Sequence, residues 1–322
     1  MVWTDYGAPS GLQPRAVPTP VPVKAQLLIR IRATSVTAGD AELRALRFGL
    51  GMRLLVRLIM GPVRPRHKIL GQEFAGDVER IGPDVQLFRI GDPVYGTTGF
   101  GFGAYAEYLC VRESSRDGAV AAKPVRLTYE EAATIPTGGL EALHFLRRAG
   151  DLRNKKVLII GAGGGIGTIA VQLAKSFGAN VTAVDGPRKM DLLRGIGADR
   201  VIDYSREEYA RRPDAYDVIL DVVGRSPFSA SMEALRDGGV YLVANPRLSV
   251  LVRALWARRR RGKKVFVRGS PPSTQDLDDL RELIQAGKIR PVIDRTYLLE
   301  QLPEAHRRVD SGLAIGRVAI TV

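Results

Sequence analysis

Residues 155–185 read KKVLIIGAGGGIGTIAVQLAKSFGANVTAVD and predict one complete βαβ unit. An apolar run, typical of a strand buried on both faces, leads into a glycine-rich turn. The amphipathic stretch that follows predicts a helix ending at Gly178, and a second apolar run ends at Asp185. Parallel strands joined by a helix are the building block of a doubly wound α/β sheet.

The glycine-rich turn carries the pattern A-x-G-x-x-G, with Ala162, Gly164 and Gly167 in its three defining positions. Small residues permit the tight turn and let backbone N–H groups approach a pyrophosphate at the positive end of the helix. We expect Gly165 and Ile166, which open the helix, to belong to the same site. The context of strand, turn and helix predicts dinucleotide binding, and a turn kept only for packing is the alternative.

The residues after the second strand give conflicting signals about the nucleotide. Asp185 can accept hydrogen bonds from both hydroxyls of the adenosine ribose, which indicates NAD. Arg188 and Lys189 follow almost at once, and two cations can bind the 2′-phosphate of NADP. Both cofactors stay open at this point, and a solvated helix start also explains the two cations.

Further alternation of strands and helices extends this unit into a Rossmann domain over residues 126–268. Predicted strands lie at 200–202, 218–220 and 240–243, with a helix at 189–196. Thr128 and Glu131 predict a capping box that opens one helix over residues 128–150. Short apolar runs separated by Gly, Pro and Asp predict a β-rich domain over residues 1–125, which residues 269–322 are expected to rejoin.

Composition favours a soluble protein with anionic partners. The chain has 322 residues, with 48 Lys and Arg against 34 Asp and Glu, a formal net charge of +14. Such a balance suits nucleotide phosphates, anionic lipid or nucleic acid, and an arginine-rich proteome explains it equally well. Cys110, the single cysteine, excludes disulfide frameworks and cysteine-rich zinc sites. We expect a cytoplasmic protein, since neither a signal peptide nor an apolar run long enough to span a membrane is apparent.

Several short motifs occur in one order along nearly the full chain. They are SVTAGD at 35–40, GQEFAG at 71–76, GDPVYG at 91–96, GAYAEY at 103–108, the glycine-rich turn, GADRVIDY at 197–204 and DVVG at 221–224. Together they resemble the medium-chain dehydrogenase/reductase superfamily, most of all its zinc-independent quinone oxidoreductase-like branch. The resemblance implies an α/β protein with a GroES-like β-rich catalytic domain (residues 1–125 and 269–322). Between these two parts it implies a Rossmann domain with a doubly wound parallel sheet (residues 126–268).

The resemblance also bears on metal binding. Zinc-dependent relatives have G-H-E where this chain has Gly71, Gln72 and Glu73, and their histidine binds the catalytic zinc. A glutamine amide is a poor zinc ligand, and the cysteine ligand expected at residues 37–40 is missing, as is the cysteine lobe for a structural zinc. We therefore expect no metal, and we expect Glu73 to accept hydrogen bonds from neighbouring polar groups.

Candidate catalytic residues follow from the same resemblance. Thr37 and Asp40 match the family's N-x-x-D near the nicotinamide, with Thr in place of Asn. Tyr95 is expected to line the nicotinamide pocket or donate to a substrate carbonyl, and simple packing is the alternative. Glu141 stands where relatives often have Thr, so its carboxylate either alters substrate choice or faces solvent.

Further cofactor contacts are implied for Lys189, Tyr204, Ala244, Asn245 and Arg317. Lys189 and Tyr204 fall where NADPH-binding relatives hold the 2′-phosphate and the adenosine. We therefore expect NADPH, although Asp185 leaves NADH open.

Without a metal, removing hydride from an unactivated alcohol is hard. Donating hydride to a quinone or an α,β-unsaturated carbonyl is easier, because a few hydrogen-bond donors can stabilise the negative charge on the carbonyl oxygen. We expect an NAD(P)H-dependent reductase of such small electrophiles. A metal-free alcohol dehydrogenase or carbonyl reductase, and a non-catalytic nucleotide-binding sensor, are the alternatives.

Two apolar, arginine-rich segments remain, at residues 43–68 and 248–268. They are hypothesised to form a basic rim that gates a hydrophobic substrate or rests weakly on an anionic membrane surface; helices with solvated basic faces are the alternative. The basic run at 258–264 lacks the aromatics of a single-strand platform, so we expect no specific nucleic acid. Predicted edge strands at 240–244 and 264–268 suggest a homodimer joined edge to edge.

Overall fold

The computed structural model describes residues 1–115, 117–210, 213–224, 226–245, 262–267, 269 and 271–322. Its strands are β1 (Val2–Trp3), β2 (Leu12–Gln13), β3 (Gln26–Val36), β4 (Glu73–Ile81), β5 (Pro93–Thr97), β6 (Tyr108–Arg112), β7 (Ala119–Ala122), β8 (Lys156–Ile160), β9 (Asn180–Asp185), β10 (Arg200–Asp203), β11 (Tyr216–Asp221), β12 (Leu235–Val243), β13 (Lys264–Phe266), β14 (Ile293–Leu298) and β15 (Arg317–Thr321).

The α-helices of the described residues are α1 (Ala38–Ala45), α2 (Leu50–Met60), α3 (Tyr129–Ala133), α4 (Pro136–Arg148), α5 (Gly165–Ser176), α6 (Met190–Gly195), α7 (Phe228–Ala234), α8 (Thr274–Gln285) and α9 (Leu302–Asp310). Short 3₁₀ turns lie at Pro9–Gly11, Gly99–Gly101, Pro187–Lys189 and Leu299–Gln301.

The described chain forms two compact units. The first combines Met1–Thr137, Pro271–Gln285 and Pro291–Val322, and the second combines Gly138–Ser270 and Ala286–Arg290. The sequence placed the first boundary at residue 125. In the structure residues 126–137 lie in the first unit, because α3 packs on β3 and β4 there.

The first unit is built on a largely antiparallel sheet with strand order β14-β15-β3-β4-β5-β7, and β6 also pairs with β3. β15 runs antiparallel to β3, with Ala319 opposite Ser35. A strand from the end of the described chain therefore completes a sheet begun near its start. This arrangement confirms the predicted GroES-like β-rich domain.

The second unit is a six-stranded sheet with strand order β10-β9-β8-β11-β12-β13, and every pairing in it is parallel. β8, α5 and β9 form the predicted βαβ unit. The apolar runs are buried on both faces, as a central parallel strand requires, with Leu158 and Ile219 fully buried. The predicted Rossmann domain with a doubly wound parallel sheet is confirmed.

Two local predictions were wrong. The helix predicted over residues 128–150 is two helices, α3 and α4, because Pro136 has no N–H to donate and disfavours a helical residue before it. The capping box of Thr128 and Glu131 forms as predicted. Residues 240–244 are not an edge, since β12 pairs with β13 beyond it.

Within the described part of the second unit, β13 is an outer strand, so a homodimer joined through it stays a prediction. Most of the arginine-rich segment at 248–268, including Arg258 to Arg261 of its basic run, lies outside the described residues. Among the residues that the structure does describe, no helix has the length and apolar character needed to cross a bilayer.

Close contact at the start of α5 depends on Gly167. A Cβ atom there would lie 2.3 Å from the carbonyl oxygen of Gly161 and 2.6 Å from Cα of Ala162. Both neighbours are backbone atoms of the preceding turn, so they cannot move aside without distorting it. The helix and the turn therefore pack at a distance that only glycine permits.

The Gly167→Ala variant should lower the free energy of unfolding by about 1–3 kcal/mol, because the new methyl group overpacks the turn. Urea unfolding followed by circular dichroism measures the change. Gly195→Ala is the matched control: Gly195 ends α6 with no atom within 4 Å of its Cβ position, so alanine there should be neutral or stabilising by up to about 1 kcal/mol. Equal effects of the two substitutions would contradict the packing argument.

Candidate active site

A fully buried carboxylate, that of Glu73, lies at the centre of a polar cluster in the first unit. Its Oε1 accepts hydrogen bonds from the backbone N–H of Thr137 at 2.7 Å and from Nη2 of Arg317 at 3.3 Å. The hydroxyls of Thr137 and Ser35 also donate to this carboxylate. Glu73 thus accepts hydrogen bonds from polar neighbours as predicted, and its burial is compensated by charge pairing.

Three strands position this cluster. Glu73 begins β4, Ser35 lies near the end of β3, and Arg317 begins β15. Because β3 pairs with β4 on one side and β15 on the other, the three side chains meet at one end of the sheet. Nη2 of Arg317 also donates to Oγ1 of Thr137 at 2.7 Å. The structure therefore places the guanidinium of Arg317 on Glu73, and its role in cofactor binding stays a prediction.

Thr37 and Asp40 form a reciprocal capping box at the start of α1. The N–H of Asp40 donates to Oγ1 of Thr37 at 2.9 Å, and Oδ2 of Asp40 accepts from the N–H and the hydroxyl of Thr37 at 3.0 and 2.7 Å. Burial raises the pKa of Asp40 to about 6. Its Oδ1 has no hydrogen-bond partner among the described residues. This carboxyl can therefore hold a proton near neutral pH.

Sequence reasoning missed a second group of buried residues in the first unit. Tyr105 is fully buried beside Asp40, and burial and that neighbouring carboxyl raise the pKa of its phenol. Its ring makes an edge contact with His306 at 5.7 Å between centroids. Nδ1 of His306 accepts from Nε of Arg44 at 3.3 Å, and burial lowers the pKa of this imidazole to about 3, so it is neutral at pH 7. Arg44 and His306 are 262 positions apart, and no local pattern joins them.

Tyr95 was predicted to line the nicotinamide pocket or donate to a substrate. In the structure it is fully buried on β5, and its hydroxyl donates to the backbone carbonyl of Leu277 at 2.6 Å. The one hydroxyl hydrogen is therefore already used. This geometry favours the packing alternative.

The residues around Gln72 do not fit a catalytic zinc ion. Nε2 of Gln72 donates to the carbonyl oxygen of Gly99 at 3.0 Å, and Cys110 lies elsewhere, on β6. No group of three or more His, Cys, Asp or Glu side chains that would hold a metal occurs among the described residues. Zinc binds nitrogen, thiolate and carboxylate donors, and an amide is a weak substitute.

The glycine-rich turn in the second unit has the form of an anion site. Gly164 is the N-cap of α5, and no described side chain caps the helix there. A Cβ atom on Gly164 would meet nothing closer than the carbonyl oxygen of Gly161 at 3.7 Å, so space is open before the helix N-terminus. Gly165 and Ile166 are partly exposed there and Ala162 is buried behind them. These features fit the pyrophosphate of a dinucleotide.

The end of β9 gathers the predicted ribose-binding residues. Oδ2 of Asp185 accepts from the N–H of Gly163 at 2.8 Å, and its Oδ1 accepts from the N–H of Gly186 at 2.8 Å. Nζ of Lys189 lies 3.2 Å from the same Oδ1. The Tyr204 hydroxyl is 3.3 Å from the Cβ position of Gly186. The structure thus brings Asp185, Lys189 and Tyr204 together.

The remaining predicted residues of the second unit lie in varied surroundings. Arg188 is exposed, and Ala244 and Asn245 follow β12, with Nδ2 of Asn245 donating to the carbonyl oxygen of Val222 at 2.9 Å. Glu141 lies on α4, where burial raises the pKa of its carboxyl to about 7. Its Oε1 would be 2.7 Å from a Cβ atom on Gly269. The carboxylate is therefore largely enclosed rather than facing solvent.

Comparison with known proteins places the chain in a family. Residues 23–122 match the model described as alcohol dehydrogenase GroES-like domain, and residues 196–320 match the one described as zinc-binding dehydrogenase. The mouse NAD(P)H oxidoreductase RTN4IP1, mitochondrial, is 32% identical, covering 92% of this chain and 82% of the relative. The chain belongs to the medium-chain dehydrogenase/reductase superfamily.

Other relatives agree with this medium-chain dehydrogenase/reductase assignment. The quinone-oxidoreductase QR1, chloroplastic, of Triphysaria versicolor is 32% identical, covering 98% of this chain and 95% of the relative. The solved structure of the quinone oxidoreductase from Coxiella burnetii has a TM-score of 0.86 and 28% identity, covering 100% of this chain and 98% of that one. These matches confirm the quinone oxidoreductase-like branch and make the protein an oxidoreductase. The predicted cytoplasmic location stays a prediction.

Membership of this superfamily implies a nicotinamide dinucleotide as the cofactor. The residues before α5 and at the end of β9 fit such a cofactor. The open space before α5 suits the pyrophosphate. Oδ2 of Asp185 keeps a lone pair for a ribose hydroxyl, because each carboxylate oxygen accepts two hydrogen bonds and only one donor, the N–H of Gly163, reaches Oδ2. The matching family model is described as zinc-binding, but the donors around Gln72 do not fit zinc.

Replacing Glu73 by Gln in this medium-chain dehydrogenase/reductase should lower the free energy of unfolding by about 3–5 kcal/mol, because a buried arginine is left without its counter-charge. Urea unfolding measures the loss. Adding Arg317→Met to Glu73→Gln should restore part of it, since the unpaired cation is then gone.

Glu304→Gln is the matched control for this charge pair. Glu304 pairs with Arg307 on α9, but the two side chains are 51% and 55% exposed. Glu304→Gln should lower the free energy of unfolding by less than about 1 kcal/mol. If Glu73→Gln lowered the free energy of unfolding by as little as Glu304→Gln does, the buried cluster would not be stabilised by its charges.

Proposed function

We propose that this oxidoreductase transfers a hydride from NAD(P)H, without a metal, to quinones or α,β-unsaturated carbonyl compounds. The observation that carries the proposal is the state of Gln72 and Glu73. The amide of Gln72 donates to Gly99, and the carboxylate of Glu73 is bound by Arg317, Thr137 and Ser35. Neither side chain offers the donor that a catalytic zinc needs.

The substrate class follows from the proposal that no metal ion acts as a Lewis acid. Conjugated acceptors need less polarisation than alcohols, because the added negative charge moves onto a carbonyl oxygen that one or two hydrogen bonds can stabilise. The names of two relatives support this class: the Triphysaria quinone-oxidoreductase and the 2-methylene-furan-3-one reductase of Solanum lycopersicum, which is 30% identical over 99% of this chain and 77% of that relative.

A nicotinamide dinucleotide, when bound, would supply the hydride of the proposed reaction. The N-terminus of α5 would bind its pyrophosphate, and Asp185 would orient its ribose. In the first unit, Asp40 supplies the proton. When Asp40 is protonated, its O–H donates to Oγ1 of Thr37, which frees the threonine hydrogen for an anionic oxygen of the substrate. The raised pKa of Asp40, about 6, keeps part of the enzyme in this form near neutral pH.

We propose NADPH as the preferred cofactor. Lys189 neutralises Asp185 across 3.2 Å, and the exposed Arg188 adds a second cation. One negative and two positive charges leave a net positive charge beside the ribose, which favours a 2′-phosphate over a hydroxyl. The exposed hydroxyl of Tyr204 adds a donor close to Gly186.

Turnover is tested by mixing the enzyme with NADPH or NADH and a panel of quinones, enones, aldehydes and alcohols. The readout is the loss or gain of reduced-nicotinamide absorbance, with and without a metal chelator. We expect chelator-resistant oxidation of NADPH with quinones or enones. Chelator-sensitive activity, or activity confined to alcohols, would overturn the proposal, and cofactor binding without any turnover would favour a sensor.

Cofactor preference is tested with Lys189→Ala. Losing a charged hydrogen-bond donor should weaken NADPH binding about tenfold and leave NADH binding nearly unchanged. Titration of cofactor fluorescence measures both dissociation constants. The exposed Lys155, replaced in the same way, controls for the loss of one positive charge in the same unit. An unchanged ratio of the two constants in Lys189→Ala would assign the preference to other residues.

A further inference from the structure

The segment from Leu43 to Gln72 has an unusual charge pattern. It contains seven basic residues and no Asp or Glu: Arg44, Arg47, Arg53, Arg57, Arg64, Arg66 and Lys68. The rest is mostly Leu, Ile, Val, Met and Gly. α2 lies in the middle of this segment. Its side chains are mostly apolar, and none of them carries a negative charge.

Most of the large apolar side chains between residues 50 and 63 are exposed. The side chains that are between 49% and 78% exposed are Leu50, Met52, Leu54, Leu55, Leu58, Ile59 and Val63. Soluble proteins expose single apolar side chains freely, but a contiguous set of this size indicates a binding surface.

One narrow side of α2 holds it on the first unit. Met60 is buried, and Val56 packs partly against the core. The guanidinium of Arg57 stacks over the Tyr6 ring at 5.6 Å, and the Tyr6 hydroxyl donates to the carbonyl oxygen of Gly61 at 2.8 Å. The helix is thus anchored along one side and presents its leucines outward.

The basic residues beside the exposed leucines are also accessible. Arg53 lies on α2, and Arg64, Arg66 and Lys68 follow its C-terminal end, all exposed. The exposed Phe100 reaches the same neighbourhood, since its ring contacts Phe102, whose ring contacts His67. Aromatic and long basic side chains around an apolar helix face are typical of the boundary between a bilayer and water.

We propose that α2 and residues 61–68 form a surface that binds an anionic lipid bilayer, with the leucines entering the boundary between headgroups and acyl chains and the arginines meeting lipid phosphates. The surface is distinct from the cofactor and substrate residues described above. Its chemistry selects lipid over other occupants. A second copy of the same face would oppose like charges, and nucleic acid would leave the leucines in water.

The test is co-sedimentation of the 322-residue chain with vesicles of phosphatidylcholine alone or mixed with phosphatidylglycerol. We expect binding to the mixed vesicles, little binding to neutral ones, and a decrease with added salt because screening weakens the charge attraction. Arg53→Gln should lower the partition constant about fivefold. Leu54→Asn and Leu58→Asn should each lower it about tenfold.

Leu87→Asn and Arg80→Gln are matched controls, since both residues are exposed in the first unit and lie outside α2. Neither should change the partition constant. Because the α2 positions are exposed, their variants should fold, which thermal unfolding checks. Turnover of a water-soluble quinone without vesicles should be the same in all variants, so failure of lipid binding is separable from failure of the proposed reaction.

Three results would overturn the proposal. The first is no binding to the anionic vesicles, or equal loss in the α2 variants and the controls. The second is that replacing Leu54 and Leu58 leaves vesicle binding unchanged but changes the mass of the protein measured by sedimentation equilibrium. The third is competition by heparin together with no effect of the leucine variants, which would indicate a general polyanion surface.

Discussion

The buried carboxylate of Glu73 is the constraint on which the first unit depends. An ionised side chain cannot stay in an apolar interior unpaired, so Arg317, Thr137 and Ser35 must all be in place when the unit folds. These partners come from segments far apart in sequence. Their convergence fixes the ends of β3, β4 and β15 together, beside Gln72, whose side-chain amide donates to the backbone carbonyl of Gly99.

The second unit handles charge in the opposite way, within a few residues of the chain. Asp185, Gly186 and Lys189 form a local set in which a carboxylate is bound by a backbone N–H and by a lysine one helical turn away. Such a set can rearrange without unfolding, because its members sit on a turn and a helix start. The first unit thus joins polar groups from segments far apart in the chain, and the second joins them within one turn of the chain.

Local signals explain what the sequence predicted well. The βαβ unit, the cap of Thr128 and Glu131, and the proximity of Asp185 to Lys189 all follow from residues close in the chain. The contacts of Arg44 with His306 and of Tyr95 with Leu277 join residues separated by 262 and 182 positions, and single-sequence patterns carry no record of them. The edge assigned to residues 240–244 failed for the same reason, since strand order depends on long-range pairing.

The pairing of β15 with β3 also orders events on the ribosome. All strands of the second unit lie between residues 156 and 266, so that unit can fold while the remaining chain is still being made. The first sheet must wait until about residue 321 has left the exit tunnel. During that interval one edge of β3 is unpaired near its C-terminal end, a state in which nascent chains associate wrongly. The last part of synthesis, before β15 pairs with β3, is therefore the period when this protein most needs a chaperone.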